Sequence, residues 1–248
     1  MNEQKNELTK SDNGQTVSTD EVPDAEKPTK HVRQTFERQF NEIRDIIDLS
    51  LNDTTLKNYA GQYGYGAERI GEGKILFDET DTLYENQKSA IEAQKAATYL
   101  LQGKKIKADA MAKRFWDIAR VAFKSDPITY KALGLNSARK QAFGEWLAQN
   151  KYFYNKLLSM PDALVEIAKY TVTQAELEEG KQALLDAAAA ETAQQNAIAE
   201  AQNATELKNK AFQKLKRWIK KYLNVMKEAL ENVPQMKEKL GIVTPIEV

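Results

Sequence analysis

The sequence predicts an all-α protein made of two tandem, duplicated helical-bundle repeats, each with about four main helices and one short helix. Lys, Glu, Gln and Ala dominate the 248 residues, which include only eleven Gly and six Pro. These common residues favour helices. Apolar residues also recur at the three- and four-residue spacing of an amphipathic helix. The third observation is that the pattern occurs twice along the chain.

The repeat pairs residues that are 107 positions apart, without a gap from Tyr63/Tyr170 to the end of the second copy. Identical pairs include Gly73/Gly180, Gln87/Gln194, Ile91/Ile198, Thr98/Thr205, Pro127/Pro234 and Gly134/Gly241. A period this long indicates duplicated domains, because solenoid units have about 20–50 residues. We therefore predict a disordered polar tail at 1–31, bundle repeats at 32–135 and 136–242, and a short tail at 243–248.

In the first copy, turn and capping residues separate five predicted helices. Phe36, Phe40, Ile43, Ile47 and Leu51 lie on one face of helix A, over about 32–51. We expect Asp53 and Thr54 to start helix B, a glycine turn at 63–66 to precede helix C, and a turn near Gly103 to separate helices C and D. Asp126 and Pro127 start short helix E, and Gly134 ends it.

The second copy follows the same plan, with different capping residues. We expect Ser137 to cap helix A′ and Ser159 and Pro161 to start helix B′. Capping boxes of Thr173 with Glu176 and of Asn203 with Glu206 predict the starts of helices C′ and D′. Asn232 and Pro234 start helix E′, and Gly241 ends it.

A turn near residues 203–205 is favoured because acidic sequence gives way to basic sequence there. No Gly or Pro lies between Lys181 and Val233, so a single helix of about 55 residues, roughly 80 Å long, is the alternative.

Charge is segregated within this stretch. Residues 173–206 carry seven acids and one base, and residues 207–227 carry eight bases and no acid. We favour a helical hairpin in which the opposite charges face each other. The alternative is a nucleic-acid surface formed by a stripe along one helix face, at Lys210, Lys214, Arg217 and Lys221. The formal net charge of zero argues against the alternative.

Alanine-rich sequence follows the acidic residues of helix C′. Four alanines at 187–190, with Ala193, Ala197, Ala199, Ala201 and Ala204, form a face that allows close helix approach but buries little area. We expect helix D′ to pack there and supply the bulk. Contact between two chains through this face is a further hypothesis.

The residue types that build common active sites are scarce. The chain has no Cys and one histidine, His31, which argues against thiol and histidine chemistry. Gly71 to Lys74 lacks the spacing of a phosphate loop, so we interpret Gly73 and Gly180 as close helix crossings. Tyr59, Tyr63 and Tyr65 are expected to pack at a corner, and Trp116, Trp146 and Trp218 in the core. We predict no catalytic residue, cofactor or metal site.

The sequence thus predicts a non-enzymatic structural or protein-interaction protein that self-associates or binds a protein partner. The alternative is a nucleic-acid-binding accessory protein that uses the basic helix at 207–227. Because there is no apolar signal segment and no long apolar run, we expect a cytoplasmic protein without a membrane partner. No small-molecule substrate is evident.

Overall fold

A computed structural model describes residues 35–242, and these residues form eight α-helices and no strands. The elements are α1 (Phe36–Asn52), α2 (Thr54–Gln62), α3 (Ala67–Ala122), α4 (Pro127–Ala132), α5 (Phe143–Leu158), α6 (Pro161–Ala168), α7 (Gln174–Ala229) and α8 (Pro234–Lys239). The all-α prediction is confirmed for this part of the chain. The predicted tails and His31 lie outside the described residues.

Local sequence explains where most helices begin. Asp53 accepts hydrogen bonds from the backbone of Thr55 and Leu56 at the start of α2, and Asp126 does the same at the start of α4. Thr173 and Glu176 form the predicted capping box of α7. Three short helices begin with proline, whose missing N–H costs nothing in the first turn: Pro127, Pro161 and Pro234.

The predicted turn at 203–205 is wrong, because α7 is one helix of 56 residues from Gln174 to Ala229. The turn at Gly103 is also wrong, since α3 is a single helix of 56 residues. Predicted helices C and D are therefore one helix, α3, and predicted helices C′ and D′ are one helix, α7, each about 84 Å long at 1.5 Å per residue. A glycine inside a helix costs only about 1 kcal/mol relative to alanine, and the packing of a long helix offsets that cost.

Two predicted N-caps are wrong as well. Asn203 and Glu206 lie inside α7 and start no helix. Ser137 lies in the turn before α5, where its hydroxyl donates to the carbonyl of Gly134 at 2.8 Å, and α5 begins only at Phe143. A serine can bond its own turn as readily as a helix terminus, so the residue type alone does not locate the cap.

Two separate hydrophobic cores lie at opposite ends of the α3–α7 pair. One core joins α1, α2 and the first part of α3 to the last part of α7 and to Leu240 after α8. The other joins the last part of α3, the α4–α5 segment, α5 and α6 to the first part of α7. The predicted boundary at 135/136 falls between α4 and α5, and each core takes side chains from both sides of it.

The helix starts follow a regular offset. Helices begin at residues 36, 54, 67 and 127, and again at residues 143, 161, 174 and 234, each 107 positions later. The two longest helices have the same length of 56 residues. Equivalent residues of α3 and α7 therefore occupy equivalent positions along the antiparallel pair.

Gly73 and Gly180 lie at close contacts, as predicted. A Cβ on Gly73 would lie 2.5 Å from Cζ3 of Trp218, and a Cβ on Gly180 would lie 2.9 Å from Cζ of Tyr154. At both positions an aromatic ring of another helix fills the space that a side chain would occupy. Gly71 to Lys74 belongs to α3, so this segment is helix and not a phosphate-binding loop.

The aromatic predictions are confirmed in part. Trp116 and Trp146 are buried in one core, and Trp218 is half-buried against the other. Tyr65 is buried against Tyr222, with ring centroids 5.2 Å apart. Tyr63, which we expected to pack beside it, is 49% exposed.

Candidate functional site

The middle of the α3–α7 pair lies between the two cores. We call residues 83–104 of α3 and 190–211 of α7 the waist. In α3, the last residue that belongs to one core is Phe77, and the next that belongs to the other is Ala108. The waist is therefore the thin part of the molecule, where two helices pack mainly on each other.

Two equivalent hydrogen bonds fix the register of the waist. The side-chain amide of Gln87 donates to the Thr205 hydroxyl at 2.9 Å, and that of Gln194 donates to the Thr98 hydroxyl at 3.2 Å. Gln87 and Gln194 are 107 residues apart, as are Thr98 and Thr205. The waist therefore has an approximate twofold arrangement that exchanges α3 and α7.

The contact between the two helices follows a heptad pattern. In α7, buried and half-buried residues alternate at spacings of three and four over the whole helix. They are Gly180, Leu184, Ala187, Glu191, Gln194, Ile198, Ala201, Thr205, Lys208, Phe212, Leu215, Ile219, Tyr222, Met226 and Ala229. This is the spacing of an antiparallel coiled coil. Its central positions are largely polar, which is why apolar periodicity in the sequence did not reveal it.

Charged residues of α3 between residues 85 and 95 lie on one side of the helix. Glu85, Lys88, Glu92 and Lys95 are spaced by three, four and three residues, which places them along one stripe. Lys88 pairs with Glu85 at 2.7 Å. We call this side the charged face.

Small and branched apolar residues predominate on the other side, and we call it the alanine face. On α3 it consists of Leu83, Ala90, Ala93, Ala97 and Leu100, and on α7 of Ala190, Ala193, Ala197, Ala204 and Leu207. Leu100 is 53% exposed and Leu207 is 43% exposed. Glu200 is the one acidic residue on this stripe of α7 between Ala190 and Leu207.

An ion pair shows that the stripes of the two helices lie on the same side of the pair. Lys104 is seven residues after Ala97 and Asp186 is seven residues before Ala193, so each continues its stripe. The Lys104 ammonium lies 3.1 Å from the Asp186 carboxylate. The hydrogen bond from the Gln182 side chain, followed by that of Lys104, lowers the pKa of Asp186 below 3.8.

Further ion pairs continue toward one end of the molecule. Lys107 lies 3.4 Å from Glu179, and Arg114 lies 3.1 Å from Glu176. The backbone N–H of Thr173 contributes most to lowering the pKa of Glu176, and Arg114 adds to it. The predicted charge pairing within one hairpin is wrong, because each hairpin is a single helix, and these ion pairs join the basic half of α3 to the acidic half of α7. Each exposed pair contributes about 0.2–1 kcal/mol.

Helices α1 and α5 pack on the charged side of the long pair. Gln39 of α1 accepts a hydrogen bond from Lys216 at 3.0 Å, and Trp146 of α5 donates to Asp109 at 2.8 Å. Asp109 is fourteen residues, or two heptads, after Lys95, so it lies on the charged face of α3. Lys216 is 107 residues after Asp109 and occupies the equivalent position of α7, on the same side of the pair. The alanine face is on the other side of the waist from these helices.

The four predicted nucleic-acid-binding residues lie on the outer surface of α7, and we call them the basic face. Lys210, Lys214, Arg217 and Lys221 are exposed and follow the helix positions that face away from α3. Lys210 pairs within the helix with the Glu206 carboxylate. Lys210, Lys214 and Arg217 also line a shallow surface depression with Glu206. The structure thus places all four on one continuous surface.

One lysine of the basic half is buried in the heptad seam. Lys208 is 8% exposed, and its ammonium lies 4.3 Å from the centre of the Phe36 ring. Burial lowers the pKa of Lys208 below 10.5, and the Glu37 carboxylate opposes this shift. The positive charge is held by the ring face as a cation–π contact. We did not predict this role from the sequence.

No protein-family model, curated protein or solved structure matches this chain. Within residues 35–242, no group of three or more Asp, Glu or His side chains is arranged to hold a metal ion. None of the described helices combines the length and apolar character needed to cross a membrane.

The waist could have been found in the sequence by testing for a period of 3.5 residues without requiring apolar side chains. In α7 this spacing continues across 203–205 without a shift in phase. A turn there would have interrupted the phase, because loop residues break the spacing of three and four.

Proposed function

We propose that this protein is a non-enzymatic structural or interaction protein in which a two-helix waist holds two binding ends at a fixed separation. The observation that carries the proposal is the pair of continuous 56-residue helices, which joins two distinct cores. A helix pair of this kind holds its two ends about 84 Å apart. A partner protein would bind one or both ends.

We also propose that the two halves of the chain arose by duplication. The equivalent helix starts, the equivalent glycines at close contacts and the equivalent hydrogen bonds of Gln87 and Gln194 support this origin. Duplication would give two similar ends related by the twofold arrangement of the waist. Two similar ends suit a spacer that connects two copies of one partner.

Shortening the waist tests the spacer function. Deleting residues 86–99 and 193–206 removes two heptads from each long helix, which preserves the seam and the register and shortens the pair by about 21 Å. We expect the shortened protein to fold and to capture the same partners from its source cells. It should fail to replace the full-length protein there, because the separation of the ends is wrong.

Circular dichroism and partner capture are the controls for that experiment. A shortened protein that folds, binds its partners and fully restores function would contradict the spacer role. Deleting residues 86–99 alone should prevent assembly of both ends, since the two long helices would then differ in length.

The second candidate function is nucleic-acid binding through the basic face. It is favoured by the position of Lys210, Lys214, Arg217 and Lys221 on one exposed stripe of about three turns. Changing all four to Glu should abolish retardation of DNA or RNA in a gel. Changing Lys88 and Lys95 to Glu on the waist is the matched control and should have little effect. Absence of retardation of the unmodified protein at low salt would exclude this function.

A further inference from the structure

We infer that residues 243–248 bind in a surface groove between α1 and α7 and close one of the two cores. We call the core that contains α1 and α2 the α1 core, and the core that contains α5 and α6 the α5 core. In the α5 core, the equivalent groove is covered by the equivalent segment of the chain. The inference goes beyond the spacer function and does not depend on it.

The groove is lined by both aliphatic and basic side chains. It has a volume of about 370 Å³ and lies between α1 and the last part of α7. Its lining includes Glu42, Ile43, Ile46, Lys216, Lys220 and Leu223. Lys216 donates to the Gln39 side chain at 3.0 Å, and the Glu42 carboxylate pairs with Arg38 at 3.1 Å. Among the described residues, no carboxylate pairs with Lys216 or Lys220, so the groove suits an apolar segment that carries an acid.

In the α5 core, the segment between α4 and α5 lies across the corresponding surface. Arg139 of this segment pairs with Asp109 of α3. The backbone N–H of Lys140 donates to the Gln149 side chain at 2.8 Å, and the Gln149 amide donates to the Ser137 hydroxyl at 3.1 Å. These contacts join the segment to both α3 and α5.

The side chains that hold this segment have equivalents in the groove. Asp109 is equivalent to Lys216, and Gln149 is equivalent to Glu42, each at the offset of 107 residues. A Glu42 carboxylate can accept a backbone N–H as the Gln149 side chain does. The groove of the α1 core is therefore the counterpart of a surface that the chain itself covers at the other end.

Burial at equivalent positions differs between the two cores. Trp116 and Phe153 of the α5 core are fully buried. Their equivalents Leu223 and Ile46, which line the groove, are only half-buried. Residues 35–242 thus leave this side of the α1 core less covered than the same side of the α5 core.

The chain leaves α8 in the same way as it leaves α4. Gly134 and Gly241 have φ angles of 74° and 69°. The next residues, Leu135 and Ile242, each donate their N–H to the carbonyl five residues earlier, at 3.1 and 2.9 Å. This hydrogen bond is that of a Schellman motif, which fixes the direction of the chain after a helix. Residues 243–248 therefore start toward the groove as their counterparts start toward the α5 core.

The residue types of 243–248 match the groove. Thr244 retains the hydroxyl of Ser137, and Glu247 supplies the acid that the groove lysines lack. Ile246 is equivalent to Arg139, so an aliphatic contact with the groove replaces the ion pair of the α5 core.

The residues before α1 are the other segment at the same offset from the covering segment. They carry two bases, Lys30 and Arg33. The groove lysines repel these bases, because like charges brought together oppose binding. Charge complementarity therefore favours residues 243–248 as the occupant.

Disulfide formation in the full chain tests the inference, because the chain contains no Cys. We expect Lys216→Cys with Ile246→Cys to form an intramolecular disulfide about tenfold faster than Lys214→Cys with Ile246→Cys, because only the groove holds the two thiols together. Lys214 is the matched control, since it is exposed on the basic face of the same helix. Equal rates for these two variants would overturn the inference.

Val32→Cys with Lys216→Cys tests the other segment. Val32 and Ile246 lie at the same offset from Arg139, in opposite directions along the chain. We expect this variant to be as slow as the Lys214 control. A faster disulfide with Val32 than with Ile246 would overturn the inference and assign the groove to the residues before α1.

Hydrogen exchange gives a second readout that needs no cysteine. After correction for intrinsic rates, we expect the amides of residues 246–248 to exchange about tenfold more slowly in the unmodified chain than in the Ile246→Asp variant, whose new carboxylate cannot enter an apolar contact. Equal exchange in the two proteins would overturn the inference. None of these results bears on the spacer function, which the shortened protein tests separately.

Discussion

Proline in place of Ala204 should lower the free energy of unfolding by about 3 kcal/mol or more, because the residue lies inside a continuous helix. The proline ring removes the backbone N–H of residue 204 and clashes with the carbonyl four residues earlier. Ala204 is the middle of the segment at which local sequence predicts a turn. The change therefore separates the two interpretations of this segment, and chemical denaturation followed by circular dichroism measures it.

Gln174→Pro in the same helix is the matched control. Gln174 is the first residue of α7, and proline is tolerated at the first position of a helix. Helices α4, α6 and α8 already begin with a proline. We expect a change of less than about 0.5 kcal/mol at this position. If Ala204→Pro were tolerated as well as Gln174→Pro, a continuous α7 would be refuted.

Alanine in place of Gly180 should destabilise the protein by about 2 kcal/mol. The new Cβ would collide with the ring of Tyr154 and lie 3.0 Å from Cε2 of Phe115, and both rings are fully buried. The Tyr154 hydroxyl is buried without a hydrogen-bond partner, and burial raises the pKa of Tyr154 above its usual value of 10. The ring is fully buried, so moving it disturbs the packing of the surrounding core.

Gly103→Ala tests the same substitution without the contact. Gly103 is also inside a long helix, but no atom lies within 4 Å of a Cβ added there. The change should stabilise the protein by about 1 kcal/mol, which is the difference in helix propensity. We expect the free energy of unfolding to fall for Gly180→Ala and to rise for Gly103→Ala. A stabilising effect at Gly180 would contradict the close contact.

Most helix boundaries could be predicted from the sequence because their signals are local. Asp53, Asp126 and the pair Thr173/Glu176 cap helices through hydrogen bonds within three residues, so their spacing in the sequence is sufficient. The interpretation of Gly73 and Gly180 as close contacts also followed from the sequence. Ser137 shows the limit of such local prediction, because a serine can stand in a turn or at the start of a helix, and the residue type does not distinguish the two.

The waist surfaces were predicted only in part. The basic stripe of Lys210, Lys214, Arg217 and Lys221 follows from helical spacing, and the structure places it on the outer surface of α7. The alanine-rich segment was visible, but its equivalent on α3 and the position of the α3 charges on one side of the helix were not. Those features depend on which residues of α3 lie beside α7, and that register is set by contacts 96 and 118 residues apart in sequence.

By itself, the sequence determined the all-α class, the positions of most caps and the 107-residue offset. The tertiary structure alone decided that the helices on either side of 203–205 are one helix, and hence that each core combines both halves of the chain. A hairpin and a continuous helix would bury the same apolar stripe and bring the same kinds of opposite charge together. The choice between them depends on an uninterrupted heptad seam along two long helices, whose stability comes from contacts between residues distant in sequence.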